Sequence, residues 1–265
     1  MELDHTQQTE YSRINSNNAS LNESIRRITR DIRTIMKNPL GENGIYYEHD
    51  MENIFKGYAL IIGPTDTPYQ DGFYFFEFIF PTDYPHRPPV LKFLSNGDRI
   101  RFNPNLYRSG KVCISMLNTW SGEQWTSCQS ISSILLTLCT ILNDRPLLNE
   151  PGINSWDKQI ETYNTIISYK NIEVCILKMM ENIESGVSPY SRFKETCWYH
   201  FIKHRDRILT KIDDVVEDAS KSDSRDPTGV MVMRTYNMMV SINKTRGNMM
   251  KNLILDMDRN GGNNT

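Results

Sequence analysis

At 265 residues the chain is long for one small domain and suits a core of about 150 residues plus an extension. Its 30 Lys and Arg against 32 Asp and Glu leave a net charge of −2, so no overall field argues for nucleic acid as a partner. Five cysteines without a C-x-x-C pair argue against a disulfide framework and against a zinc site, and a reducing cytosol or nucleus is the natural setting. The absence of a long apolar run and the polar N-terminus argue against a membrane span and a signal peptide.

Met1 to Ala19 is rich in Gln, Asn, Thr and Ser and reads as a disordered tail. Ser20 followed three positions later by Glu23 resembles a capping box. The helix it opens carries Leu21, Ile25, Ile28, Ile32 and Ile35 at helical spacing and ends at Asn38-Pro39. Its outward face is predicted to carry Arg26, Arg27, Arg30 and Arg33, on charge alone a solvated polar face.

Strands are predicted over Gly44–His49, Phe55–Ile62, Phe73–Phe80 and Val90–Leu94, with turns at Gly63-Pro64 and Gln70-Asp71-Gly72. Short turn-rich links make these an antiparallel meander, and the helices before and after it make an α+β fold. Pro85, Pro88 and Pro89 cannot donate to a strand ladder, so this segment is a rigid surface loop.

Arg101 to Gln129 has neither helical nor strand periodicity and is expected to be an irregular loop pinned to the core by Trp120 and Trp125. It carries one thiol, Cys113. A cysteine there is a candidate for acyl transfer through sulfur, and an amide such as that of Asn105 is a candidate to stabilise the oxyanion. A reversal at Ser109-Gly110 brings positions 105 and 113 together. The plainer readings are a small buried hydrophobe and a turn-forming Asn-Pro-Asn.

Beyond the loop, Ile131, Ile134, Leu135, Leu138, Ile141 and Leu142 mark one face of a helix over about residues 129–143. Cys139 reads as a core thiol and Cys128 as a loop thiol with nothing beside it to activate it. A helix is predicted from Trp156 to about Ile183, packing through Ile160, Tyr163, Ile167, Val174, Leu177 and Met180. Another runs from about Pro189 to Asp218, and Cys175 and Cys197 are packing residues. A Ser-, Asp- and Lys-rich linker (Glu217–Thr228) and a last helix (Val230–Met257) follow. That helix bears Met231, Met233, Met238, Met239, Met249 and Met250, most simply core filler. In outline, 1–19 is a tail, 20–170 the core, 171–258 a helical extension and 259–265 a second tail.

Asn103-Pro104-Asn105, Cys113 and Trp125 resemble the active-site signature of the ubiquitin-conjugating enzymes. The run Phe80 to Pro89 and Asn149-Glu150-Pro151-Gly152 resemble that family's flanking segments. Asn103 stands where the family usually has His, a mainly structural position. The twelve positions from Cys113 to Trp125 imply a small insertion around Thr119–Gly122, as in the Z-type branch, which also carries a helical C-terminal extension. The resemblance implies a ubiquitin-conjugating fold and a thioester of ubiquitin, or of a ubiquitin-like modifier, on Cys113, with Asn105 as oxyanion stabiliser. It implies Glu150 or Asn149 beside the incoming lysine, and activating-enzyme docking through Arg26, Arg27 and Arg30, more loosely Arg33. Ligases would grip Pro85, His86, Pro88, Trp125 and Thr126. Protein substrates are implied, with no metal or cofactor, because ATP is used by the upstream activating enzyme. Two rivals stand beside it: a catalytically silent ubiquitin-binding variant, and a cysteine hydrolase pairing Cys113 with His200 or His204.

Overall fold

A computed structural model describes residues 5–97 and 100–221, with side chains described over 18–97 and 100–214. The chain forms two compact units, Met1–Asn164 and Thr165–Thr265.

Unit 1 opens with α1, His5–Lys37. The expected tail before Ser20 is therefore helical from His5 onward, and the apparent capping box lies inside the helix. No Gly or Pro precedes Pro39, so nothing local stops the helix from extending back through the polar stretch. The buried positions are Ser24, Ile28, Asp31 and Ile35, at helical spacing. Leu21, Ile25 and Ile32 of the predicted stripe are only half-buried.

The four strands β1 (Ile45–His49), β2 (Lys56–Ile62), β3 (Phe73–Ile79) and β4 (Val90–Phe93) form an antiparallel meander in the order β1-β2-β3-β4. Register aligns Tyr47 with Ala59, Ala59 with Phe76 and Phe76 with Phe93. Alternation by two then puts Ile45, Ile61, Tyr74, Phe78 and Leu91 on that same face, all buried. The opposite face carries the row Glu48, Tyr58, Glu77 and Lys92. Gly57 sits where a Cβ would meet the Tyr47 hydroxyl at 2.0 Å, so the missing side chain makes room for that ring.

After the irregular segment, α2 (Ile131–Ile141) starts at a capping box in which Ser130 and Ser133 satisfy each other's backbone N–H. Ile131, Ile134, Leu135, Leu138 and Leu142 are buried as expected, while Ile141 is half-buried. The helix predicted from Trp156 begins instead at Gln159, whose N–H donates to Asp157 Oδ1 at 2.9 Å. Trp156 is left outside it and largely exposed.

That helix, α3 (Gln159–Lys170), continues through a π-helical segment, Asn171–Lys178, into α4 (Met179–Glu184). Within unit 2, Gly186 in the left-handed region follows α4. The single helix expected from Pro189 to Asp218 is two: α5 (Lys194–Lys203) and α6 (Arg205–Lys221), parted at His204. No Gly or Pro lies between residues 194 and 221, so the sequence carries no local signal for that break. Cys175 and Cys197 are buried. The first residues of the predicted linker, Glu217 to Lys221, belong to α6. The rest of the linker, the Met-bearing helix and the tail at 259–265 lie outside the described residues.

Candidate active site

Residues 103–113 fold back as a short hairpin. Isolated antiparallel bridges join Asn103 to Leu106 and Leu106 to Val112. The Tyr107 N–H donates to the Lys111 carbonyl and the Gly110 N–H to the Tyr107 carbonyl, each at 2.9 Å. Gly110 turns the chain at φ +86, and a Cβ there would stand 2.9 Å from the Phe93 carbonyl oxygen. The Phe93 N–H donates to the Gly110 carbonyl at 2.7 Å, tying the hairpin to β4. Only glycine suits both the φ and the close approach.

This reversal brings the two predicted residues together. The Cys113 N–H donates to the Asn105 carbonyl at 2.8 Å, and Asn105 Nδ2 donates to the Cys113 carbonyl at 2.7 Å. The carboxamide is thus held against the backbone of the thiol-bearing residue, and its buried Oδ1 has no partner among the described residues. Cys113 is only 3% exposed, and its thiol donates to the Thr119 carbonyl. Thr119 lies in the predicted insertion. Its hydroxyl accepts from the Ile114 N–H at 3.0 Å, and Asn118 ahead of it takes a left-handed turn at φ 57. Asn118 Oδ1 in turn accepts from the Trp125 N–H at 2.8 Å. The insertion therefore folds back over the sulfur. Of the two predicted pins, Trp125 is buried, with Nε1 donating to the Pro85 carbonyl at 2.6 Å; Trp120 is only half-buried.

Asn103 is fully buried and braces the hairpin from behind. Its Nδ2 lies 2.9 Å from the Tyr69 hydroxyl and 2.7 Å from the Ile141 carbonyl, and its Oδ1 accepts from the Asn105 N–H at 2.9 Å. Asn149 points at this same group, with Nδ2 3.5 Å from Asn103 Oδ1 and from the Ile141 carbonyl. Its amide thus faces the hairpin's support. Glu150 instead meets Arg101, whose guanidinium donates to Glu150 Oε2 at 2.9 Å and to the Pro104 carbonyl at 2.7 Å while lying 4.8 Å from the Tyr107 ring centre. Arg101 was not singled out from sequence. The available hint was a cation two residues ahead of Asn-Pro-Asn, with a carboxylate in the distant Asn-Glu-Pro-Gly segment.

The four arginines expected on the outward face of α1 do not share one fate. Arg26, Arg30 and Arg33 are exposed. Arg27, expected to face outward with them, turns inward. Its Nε donates to Asp31 Oδ1 at 3.0 Å, its terminal nitrogens donate to the Ser127 and Gln129 carbonyls, and it lies 5.5 Å from the Tyr84 ring centre. Tyr84 completes the cluster by donating its hydroxyl to Asp31 Oδ2. Burial and this contact with an anion push the Tyr84 phenol above the ordinary tyrosine range. The reason for the inward turn is that Asp31, at a buried position of α1, needs a cation one helical turn away.

The expected ligase-contact residues divide similarly. Pro85 and Trp125 are buried against each other, Pro88 is half-buried, and His86 and Thr126 are exposed. His86 Nε2 lies 3.3 Å from Glu23 Oε2 on α1. Between α1 and this loop is a hollow of about 630 Å³, lined in part by Arg26, Arg30, Pro85, His86 and Ser127. Among the described residues no group of three or more His, Cys, Asp or Glu is placed to hold a metal ion, and no helix is long and apolar enough to cross a membrane.

Comparison with known proteins matches residues 27–171 to the family model of the ubiquitin-conjugating enzymes. The chain is 41% identical over 170 residues to the ubiquitin-conjugating enzyme E2 Z of Xenopus tropicalis, covering 62% of this chain and 53% of that protein. To human E2 Z it is 43% identical over 158 residues, covering 58% and 44% respectively. A probable ubiquitin-conjugating enzyme of Caenorhabditis elegans, protein 17, is 32% identical over 226 residues, 80% of this chain and 30% of that protein. The chain thus spans about half the length of the E2 Z relatives it matches. The matched region takes in the C-terminal part of α1, the meander, the Asn105–Cys113 hairpin and α2, and on that ground the chain belongs to the ubiquitin-conjugating enzyme family.

Proposed function

We propose that Cys113 takes the C-terminal acyl group of ubiquitin, or of a ubiquitin-like modifier, from an activating enzyme as a thioester and passes it to a substrate lysine, with or without a ligase. The observation that carries this reading is the reciprocal pairing of Asn105 and Cys113 across the hairpin. In loading, the Cys113 sulfur attacks the carbonyl of the incoming thioester. A new C–S bond forms, the old one breaks, and the departing sulfur takes up the proton that Cys113 gives up. In transfer, a lysine nitrogen attacks the same carbonyl. The C–N bond forms, the C–S bond breaks, and the proton lost by the amine ends on the Cys113 sulfur.

Asn105 Nδ2, held at the Cys113 carbonyl in the free protein, is the donor in reach of the tetrahedral oxygen. Glu150 is better suited than Asn149 to meet the amine, because its Oε1 takes no hydrogen bond among the described residues. The Thr119 carbonyl on the thiol must give way before an acyl group reaches the sulfur. The chain itself needs no metal or nucleotide for these steps, since ATP is used in the activation step upstream. Arg26 and Arg30 on α1 suit docking of the activating enzyme, and exposed His86 and Thr126 suit ligase contact. The cytosol or nucleus suits the reaction.

Incubation with activating enzyme, ATP and ubiquitin tests the reading. The expected product is an adduct cleaved by reductant and lost on Cys113→Ala. Cys113→Ser should convert it to a reductant-resistant ester, and Asn105→Ala should slow discharge by about 10²-fold or more. A panel of activating enzymes and modifiers identifies the cognate pair. No adduct with any of them favours the silent variant. Hydrolysis of a thioester or peptide without activating enzyme favours the hydrolase, although His49 and His86 of unit 1 bond other groups.

A further inference from the structure

The hairpin that carries the thiol also concentrates positive charge. Lys111 Nζ lies 5.9 Å and the Arg101 guanidinium 4.8 Å from the centre of the same Tyr107 ring. Arg108 is exposed at the turn, anchored through its carbonyl to Asn96 Nδ2 at 3.1 Å. Lys92 and Lys111 are exposed bridge partners on adjoining antiparallel segments, and the Lys92 stem runs across Gly110. Like charges placed opposite each other in this way destabilise the pair. Glu77, the cross-strand neighbour of Lys92, is ion-paired with Lys56 at 3.6 Å, and Glu150 is paired with Arg101. Among the described residues Lys92, Arg108 and Lys111 have no ion-pair partner of their own. In a chain whose overall charge is −2, this is a local cationic surface attached to the thiol-bearing turn, and it is maintained against its own repulsion.

We propose that Lys92, Arg108 and Lys111 around Tyr107 form a docking surface for an acidic segment of the acceptor protein. The enzyme would then favour lysines with Asp or Glu a few residues away. The inference rests on the thioester reading and deepens it. Glu150, fixed by Arg101 with one oxygen unengaged, presents a carboxylate to the amine, while the hairpin presents cations to the amine's neighbours. An acceptor carrying a positive and a negative group in succession complements both features, whereas a uniformly basic acceptor meets repulsion at the hairpin.

Single-turnover discharge of the loaded full chain tests this with two lysine peptides, one flanked by Asp and Glu and the other by Asn and Gln. Each rate is divided by that protein's own rate on free lysine. The acidic peptide is expected to react about tenfold faster at low salt, with the advantage shrinking as ionic strength rises. Arg108→Glu with Lys111→Glu should abolish or reverse the preference. Equal rates on both peptides, or a preference that survives charge reversal, overturn the proposal while leaving the thioester reading intact. If no activating enzyme loads Cys113, that reading fails first. The same peptides are then titrated into the uncharged chain, and absence of selective amide shifts over residues 107–111 overturns the docking surface as well. Retention of single-stranded DNA at physiological salt without any peptide preference identifies a polyanion site instead, and also overturns it.

Discussion

Two arginines brace the thiol-bearing segment from opposite ends by nearly the same means. Arg27 joins a carboxylate, Asp31, to the carbonyls of Ser127 and Gln129. Arg101 joins a carboxylate, Glu150, to the carbonyl of Pro104. Each also lies against a tyrosine ring, Tyr84 and Tyr107 respectively. They differ in solvent. The side chains of the Arg27–Asp31 pair are 13% and 6% exposed, those of the Arg101–Glu150 pair 35% and 37%. The more buried pair is surrounded by protein partners and is structural. The half-exposed pair keeps a carboxylate oxygen in reach of an arriving group, and its cation borders the basic hairpin. Under the proposed function, the same chemical unit is a brace in one place and a reading surface in the other.

The sharpest way to break that comparison is to remove one carboxylate from each pair. Asp31→Ala leaves Arg27 without its counter-ion in a largely buried site and takes the acceptor from Tyr84; a loss of about 3 kcal/mol is expected in urea unfolding. Glu150→Ala should cost about 1 kcal/mol or less, because water replaces the lost partner. If the two losses were equal, burial would not be what separates the two arginines.

A smaller effect is expected one step along the buried network. Trp125→Phe keeps a ring against Tyr84 but deletes the hydrogen bond from Nε1 to the Pro85 carbonyl. The expected cost is about 1–2 kcal/mol, most of it from leaving a buried carbonyl unsatisfied. Unfolding and thioester loading measured on the same variant sharpen the comparison. The main-chain N–H of residue 125 also holds Asn118, next to the Thr119 carbonyl that covers the sulfur, so a shift of this backbone as the ring loses its anchor should change loading together with stability. At the other arginine the two readouts should part. Glu150→Gln is expected to unfold within about 0.5 kcal/mol of the parent, yet to discharge to free lysine about tenfold more slowly through loss of amine positioning.

The sheet was legible because its two central strands are aromatic and aliphatic runs, mostly buried, with turn residues between the strands, and every strand lies within a residue of its expected ends. The Asn105–Cys113 turn was legible because Gly110 supplies a left-handed residue at the one place that needs it. The orientation of α1 was not. Its buried stripe contains Ser24 and Asp31, and a periodicity search that scores only apolar side chains turns the helix toward Ile25 and Ile32 and sends Arg27 outward with its neighbours. Arg101 escaped notice for a related reason: its partners are a carbonyl three residues on and a carboxylate 49 residues away. Neither leaves a pattern in a short window. The π-helical segment and the break at His204 are likewise unmarked by any Gly or Pro.

The smallest expected effect concerns a titrating group in the sheet. His49 Nε2–H donates to the Ile54 carbonyl at 2.9 Å, which leaves Nδ1 to accept from the Tyr47 hydroxyl at 2.8 Å. Burial favours the neutral ring and lowers its pKa, outweighing the Ile54 carbonyl and the nearby Asp50 carboxylate, both of which favour the cation. A histidine with a lowered folded pKa contributes its stability fully above the unfolded value of about 6.5, and that contribution is lost as pH falls below it. Protonated Nδ1 is a donor, and the Tyr47 hydroxyl can rotate to accept from it, so the penalty is small. Between pH 7.5 and 5.5 the thermal midpoint of the parent should fall by about 1–2 °C more than that of His49→Gln. A midpoint that fell equally in both proteins would show that the acid sensitivity does not come from His49.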